Sequence, residues 1–369
     1  MTEPFTYGSV ASGIEAATVA WHGLGWRAAW FAEVATFPSK VLAHHYPRVP
    51  NLGDLLNLHT QPLFNDTALD LLVGGTPCQS FSIAGLRLGL ADPRGNLALG
   101  YCRLLERRRP RWFLWENVLG TLSARSGGRL DFATLLQAFR DVGYCCAWRV
   151  LDAQFFGVPQ RRRRLFVVGH LGDDWRPPAA VLLEPGGGGW HPAAHGVGQQ
   201  AVAGTLTTRS QTSGLRGIDA ASANHLIPIV MATGQANAEV SFDRSCALTC
   251  AHEHPIVCVP EEPLYFEPRL ARNGRGKLSR VAAALKAESG RDGRGDGAGY
   301  VMTDGLRRLT PLECERLQGF PDHYTALPAT KDGPRYRALG NSMPVPVMRW
   351  LGHRLDQTDR IFHPQRYAQ

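Results

Sequence analysis

Leu71-Leu72-Val73-Gly74-Gly75-Thr76-Pro77-Cys78-Gln79-Ser80-Phe81-Ser82 is the stretch around which this 369-residue sequence is organised. The apolar run from Leu69 to Val73 predicts a short buried strand, and Gly74-Gly75 breaks it into a tight turn. Pro77 fixes φ just before a single cysteine, so the thiol is expected at the carboxyl end of a strand on a stiffened backbone. Ligands bind at that edge of open α/β sheets. Cys78 is therefore a candidate nucleophile, since a thiolate is the most reactive side chain near neutral pH. Taken alone, a cysteine reads more readily as a buried structural thiol; it is the surrounding pattern that reverses this.

Working outward, the flanking sequence keeps one rhythm. Phe5 to Val10 predicts a first strand, Glu15 to His22 a helix ended by Gly23, and Ala28 to Phe31 a second strand with Glu33 at its carboxyl end. Pro38 to His45 predicts a helix stopped by Pro47, and Asp54 lies in a Gly53-Asp54 turn. Beyond Cys78 the pattern predicts a helix over 96–109, a strand from Trp112 to Trp115, and an amphipathic helix from Phe132 to Val142. Strands at Cys145–Leu151 and Leu165–Gly169 complete the sheet, with Phe156 to Arg164 as a turn feeding a basic strand. Such alternation predicts an α/β fold, a parallel sheet with helices on both faces.

From about Leu171 the texture changes. Pro177-Pro178 and Pro185-Gly186-Gly187-Gly188-Gly189 read as a linker. Residues 201–260 run in short Thr-, Val-, Ile- and His-rich segments, with a weak echo (204–207, 228–230, 247–249, 255–257) that suggests a repeated β-hairpin. Gly290 to Gly299 is expected to be a return loop. Patterned helix resumes at Thr310, an expected N-cap with Pro311 at the first helical position, and an apolar helix runs to about Leu355. The predicted organisation is a catalytic domain over 1–170, an insert over 171–305, and a C-terminal part, 306–369, that returns to the catalytic domain.

Composition bounds the partners. With 44% hydrophobic and 20% charged residues the chain buries a core, and its net charge of +8 favours a polyanionic partner. Eight cysteines without regular dense spacing fit a reducing cytoplasm better than a secreted disulfide scaffold. There is no signal-like N-terminus and no apolar run of membrane-spanning length, so no membrane partner is expected. Cys246, Cys250, His252, His254 and Cys258 cluster in the insert, but their spacing matches no common zinc finger or ribbon, and no metal is expected.

Gly74-Gly75-x-Pro77-Cys78-Gln79-x-Phe81-Ser82, Arg94-Gly95-Asn96-Leu97, Glu116-Asn117-Val118, Gln160-x-Arg162-x-Arg164, Arg308-Leu309-Thr310-Pro311 through Gln318-Gly319-Phe320-Pro321, and Gly340-Asn341-Ser342 occur in that order. This ordered set resembles the motifs of the DNA cytosine-5 methyltransferases, bacterial or phage type, over nearly the whole chain except about 171–305. The resemblance implies a Rossmann-like, doubly wound, mostly parallel sheet, the S-adenosylmethionine-dependent methyltransferase fold, with a smaller irregular β-rich target-recognition domain. It also implies site-specific methylation of cytosine in double-stranded DNA, with a cognate restriction enzyme or a phage context as the genetic setting; action as a monomer is the default expectation.

The chemistry accounts for the residue types. Carbon 5 of cytosine is too weak a nucleophile unaided, and addition of the Cys78 thiolate to carbon 6 would activate it. Glu116, if its pKa is raised, can supply a proton at ring nitrogen 3, and Arg162 and Arg164, on one face of a strand, can steady it or hold a phosphate. A stacked base is out of reach, so base flipping is implied. By resemblance Gln79, Ser80, Ser82, Arg94, Gln160 and Gln318 meet the DNA. Gly13, Ile14, Glu33, Val34, Asp54, Pro77, Leu97, Asn341 and Ser342 hold S-adenosyl-L-methionine, with Glu33 on the ribose hydroxyls and Asp54 on the adenine amine.

One stretch departs from the family. Where its first strand ends in Asp-Leu-Phe-x-Gly-x-Gly-Gly, this chain has Ser9-Val10-Ala11-Ser12-Gly13-Ile14-Glu15-Ala16, keeping one glycine of three. In the insert, Arg209, Arg216, Arg244, Arg269, Arg272, Arg275, Lys277, Gln211, Asn224, Gln235 and Asn273 are groups suited to base edges or phosphates. Two other readings stay open: an RNA cytosine methyltransferase on the same motifs, and a catalytically silent DNA-binding protein on the same scaffold.

Overall fold

The protein is described as a computed structural model. The residues it describes are 4–66, 68–76, 97–126, 129–183, 230–232, 239–241, 264–266, 282–283, 300–302 and 306–367. Six strands form the central sheet: β1 (Thr6–Val10), β2 (Arg27–Ala32), β3 (Leu71–Gly74), β4 (Trp112–Asn117), β5 (Tyr144–Asp152) and β6 (Arg163–Leu171), in the order β2-β1-β3-β4-β6-β5. β1 pairs in parallel with both β2 and β3, and β3 with β4. The chain leaves β1 for one side and returns on the other, so a topological switch point lies between β1 and β3. A ligand crevice belongs above the carboxyl ends of those two strands.

Both faces are covered, which is why β1 and β3 read as continuous buried runs and not as alternation. Trp112 and Leu114 point into one core, beneath α1 (Ala16–Trp21) and the C-terminal helices. Phe113 and Trp115 point into the other, beneath α3 (Leu97–Arg108) and α4 (Asp131–Asp141). The helix α2 (Thr36–His45) follows β2, and a 3-10 turn over Leu55–Thr60, absent from the sequence reading, follows Asp54.

Two expectations change. The last strand is not parallel: β6 runs antiparallel to both β4 and β5. The connection after Asp152 is too short for a crossover, which needs a dozen or more residues, so the chain turns back through Gly157 (φ 93°) and slots β6 between its neighbours. The sheet as a whole remains mostly parallel. Pro177 and Pro178, expected in a linker, are instead the buried first turn of a helix, α5 (Arg176–Leu182). Proline suits that position because the first turn needs no N–H donor. Arg354 holds this helix by donating to the carbonyls of Ala180, Val181 and Leu183.

Three helices complete the fold: α6 (Pro311–Gln318), α7 (Asp332–Asn341) and α8 (Val345–Phe362). Thr310 caps α6 as expected, in a reciprocal capping box with Glu313. The segment between α6 and α7 is tied by Glu315, a fully buried carboxylate that accepts from the N–H groups of His323 and Thr325 and pairs with Arg335 at 3.2 Å. Beyond α5, the described pieces of the insert are strands: Val230–Ala232 against Glu239–Ser241, and Leu264–Phe266 against Tyr300–Met302, which also pairs with Leu306–Arg308 just past it. Ala282–Ala283 runs parallel to Gln160–Arg161. The remaining echo segments, the insert's cationic and amide side chains, the Cys/His cluster and the 290–299 loop lie outside the described residues.

Candidate active site

The crevice at the switch point is a cleft of about 890 Å³. Its floor begins where β1 ends. Ala11, Gly13 and Glu15 all take positive φ (47°, 56° and 62°), so Glu15 keeps the left-handed backbone that glycine ordinarily supplies there. The Ser12 hydroxyl donates to the Ser9 carbonyl and accepts from the Ala32 N–H, fastening this loop to β2. From the far side the Tyr324 hydroxyl, 3.0 Å from that of Tyr46, donates to the Ile14 carbonyl at 2.9 Å. Ile14 itself is fully buried, so its side chain belongs to the core and only its main chain is available to a cofactor.

Two carboxylates expected to face a nucleotide line the cleft. Glu33 accepts from the Gly13 N–H at 2.8 Å and the Ala35 N–H at 2.7 Å, which draws the first loop against the end of β2. Asp54 caps the 3-10 turn, accepting from the Leu56 N–H at 3.0 Å and the Asn57 amide at 3.2 Å. Val34, 71% exposed, and Leu97 add apolar wall, as do Phe37 and Pro38, which the sequence reading had not singled out. Asn341 closes the cleft at the end of α7, and the nearly buried Ser342 lies beside it.

The opposite wall is built by β3 and β4. The Trp115 indole donates to the Thr76 hydroxyl at 3.0 Å and the Asn117 amide to the Thr76 carbonyl at 2.9 Å, fixing the residue that enters Pro77-Cys78. At Gly75 an added Cβ would stand 3.0 Å from the Glu116 carboxylate, so a side chain there would push Glu116 aside by a few tenths of an ångström. Glu116 projects from β4 into the cleft and pairs with Arg164 at 3.2 Å. Burial raises its carboxyl above the usual range, and Arg164 and then Arg162 oppose that rise.

Arg162 also lines the cleft, where its charge lowers the Glu116 carboxyl, and it is 1% exposed. It donates to the Gly340 carbonyl at 3.0 Å and the Ser342 carbonyl at 2.6 Å, so it holds the 340–342 turn as well. Gln318, expected at DNA, is fully buried and donates to the Leu339 carbonyl at 2.6 Å, supporting the same turn from below. Gln160 is fully buried as well, facing the interior with no hydrogen-bond partner for its amide among the described residues. Pro77, Cys78, Gln79, Ser80, Ser82 and Arg94 lie outside the described residues.

Sequence reasoning passed over Glu15, Thr76 and Tyr324. Thr76 is the variable position of the Gly-Gly-x-Pro-Cys motif, Glu15 stands where the family pattern has glycine, and Tyr324 carries no sequence signal. The cleft thus carries two carboxylates, Glu33 and Asp54, suited to hydroxyl and amine donors, and a largely buried, arginine-paired carboxyl, Glu116, whose raised pKa suits it to proton donation.

Comparison with known proteins agrees with this layout. The family model described as C-5 cytosine-specific DNA methylase matches residues 5–185 and 262–357. A protein of Escherichia phage P1 named DNA N-6-adenine-methyltransferase is 33% identical over 470 aligned residues, covering 95% of this chain and 61% of its own length. The orphan methyltransferase M.SPRI of Bacillus phage SPR is 37% identical over 149 residues, 40% of this chain and 33% of that protein. The chain thus spans less than two thirds of either relative. A solved structure, a putative DNA modification methyltransferase encoded within an Escherichia coli prophage, shares the fold at a TM-score of 0.53 and 18% identity, covering 96% of this chain and 99% of its own.

Proposed function

The chain belongs to the C-5 cytosine-specific DNA methylase family, and on that premise we propose that it methylates carbon 5 of a cytosine within one short site of duplex DNA. The observation that carries this reading is Glu116, a largely buried carboxyl raised by desolvation and held by Arg164 in the cleft wall, near the Thr76 that leads into Pro77-Cys78. The methyl donor we propose is S-adenosyl-L-methionine, which supplies an electrophilic methyl group on a sulfonium centre. The cleft fits it: Glu33 and Asp54 offer carboxylate oxygens to ribose hydroxyls and an adenine amine, and Val34, Phe37, Pro38 and Leu97 offer apolar surface to the base.

In the proposed reaction Cys78, as thiolate, adds to carbon 6 of a flipped cytosine. Glu116 gives a proton to ring nitrogen 3 as that bond forms, which turns carbon 5 into an enamine-like nucleophile. Arg164 holds the Glu116 carboxyl in place, and Arg162 holds the turn that carries Asn341 and Ser342. Once carbon 5 has taken the methyl group and the donor has been left as its thioether, a base takes the carbon 5 proton, the Cys78 thiolate leaves carbon 6 and ring nitrogen 3 returns its proton to Glu116. The insert, about 171–305, is assigned the reading of the DNA sequence, and the +8 charge supports a polyanionic partner.

The phage P1 relative is named for adenine N6, which gives the second reading. An exocyclic amine attacks a methyl donor directly and needs neither a thiol adduct nor a ring acid, so Cys78 and Glu116 favour cytosine. The test is nucleoside analysis of duplex DNA after incubation with labelled donor. We expect 5-methyldeoxycytidine; N6-methyldeoxyadenosine alone, or transfer to RNA in place of DNA, would overturn the proposal.

A further inference from the structure

In the first loop this chain departs from its family at both ends of one motif. The family's pattern has an acidic residue where Ser9 stands and a glycine where Glu15 stands. Here the Ser9 hydroxyl donates to the Glu15 carboxylate, and the backbone at Glu15 keeps φ 62°. The carboxylate and the small residue have changed places along six residues of sequence, and the side chain brings the charge back to the end of β1. Holding a glutamate in that backbone region carries a conformational cost that glycine avoids. Something has to offset that cost.

Glu15 lines a small cavity of about 40 Å³ behind the main cleft, together with Ser9, Ala11, Gly75, Glu116 and Met343. This recess continues from the loop that Glu33 binds toward Glu116, so a donor lying along the cleft has its amino-acid end here. A carboxylate offers about four acceptor positions. Three are taken, by the Ser9 hydroxyl, the Thr18 N–H at 3.1 Å and the Thr18 hydroxyl at 2.6 Å. No described cation pairs with Glu15, although it is only 1% exposed, and a buried carboxylate without a cation is costly. A ligand that brings a positive charge completes the set.

We propose that Glu15 receives the α-ammonium group of the methyl donor's amino-acid end, in a loop where the carboxylate and glycine of the family pattern are exchanged. The inference rests on the proposed use of S-adenosylmethionine and narrows it to one contact. It also accounts for the loss of a glycine at position 15 while the backbone there stays left-handed.

The experiment is calorimetric binding to the full chain, without DNA, of S-adenosylmethionine, S-adenosylhomocysteine and 5′-methylthioadenosine, the last of which lacks the amino-acid end. The proteins are the native chain, Glu15→Gln, Glu15→Gly and the exchange variant Ser9→Asp/Glu15→Gly, each checked for thermal unfolding. Glu15→Gln is expected to weaken both amino-acid-bearing ligands by about tenfold or more, the scale of one charge-assisted hydrogen bond, and methylthioadenosine by less than about twofold. Glu15→Gly is expected to lose affinity in the same way, and the exchange variant to regain most of it. Equal weakening of all three ligands would make Glu15 a purely structural cap and overturn the proposal, as would unchanged affinity in Glu15→Gln. A native chain that binds none of the three would overturn the cofactor reading itself.

Discussion

Glu116 is set by opposing effects: burial raises the carboxyl, while Arg164 and Arg162 lower it. The proposed step needs the acid form, so turnover should decline as pH rises through that raised pKa. Glu116→Gln keeps a hydrogen bond to nitrogen 3 but cannot transfer a proton. It should cut single-turnover methylation by about 10²- to 10⁴-fold and abolish the alkaline decline, leaving donor affinity within about twofold of native. That Glu116, Glu33 and Asp54 share one cleft was legible in the sequence because each is a charged residue at the carboxyl end of a recognisable strand or in a turn beside one. Gln318 and Gln160 were not: whether an amide faces DNA or the core depends on what packs over it, and the sequence shows no such neighbour. Glu15 was illegible for another reason, since its role depends on a left-handed backbone and a hydroxyl six residues away.

Among the elements, α6 shows local sequence deciding structure outright. Thr310 accepts from the Glu313 N–H at 3.2 Å while the Glu313 carboxylate accepts from the Thr310 N–H at 2.7 Å, and Pro311 opens the helix. Thr310→Ala should cost about 1–2 kcal/mol, read as a shift in the urea midpoint at unchanged slope. The same local signals misled at α5, because a Pro-Pro pair serves a linker and a helix's first turn equally well. Only the buried faces of Val181 and Leu182 and the grip of Arg354 distinguish the two. The direction of β6 was also out of reach of pattern alone, since an apolar run reads the same in both directions. The short connection after Asp152 was the one visible cue.

Across the whole molecule, the C-terminal segment closes on the base of the sheet. Asp359 is fully buried and accepts from the Trp112 indole and the Tyr367 hydroxyl, each at 2.7 Å, while pairing with Arg111 at 2.9 Å. Beside it, the rings of His170 and His363 meet at 2.9 Å between their Nε2 atoms. Burial first, then His363, lowers His170 to about 4, with Asp359 and Asp174 opposing and Arg111 assisting. The folded chain therefore binds fewer protons than the unfolded chain between about pH 6.5 and 4, and stability falls as pH drops through that window. His170→Gln, which keeps a nitrogen near the Nε2 position, should remove about 1–2 kcal/mol of that acid sensitivity in denaturant melts at stepped pH. The family's ordered motifs made the catalytic fold legible across this length, whereas the insert, without such motifs, yielded only a β-rich character. The central claim is covalent activation of cytosine by Cys78 with Glu116 as the acid. It is tested most directly with duplex DNA carrying 5-fluorocytosine, because fluorine at carbon 5 blocks the final elimination. With S-adenosylmethionine the native chain should form a denaturation-resistant adduct that Cys78→Ala cannot form. A native chain that binds donor and DNA yet traps no fluorinated base would contradict the account.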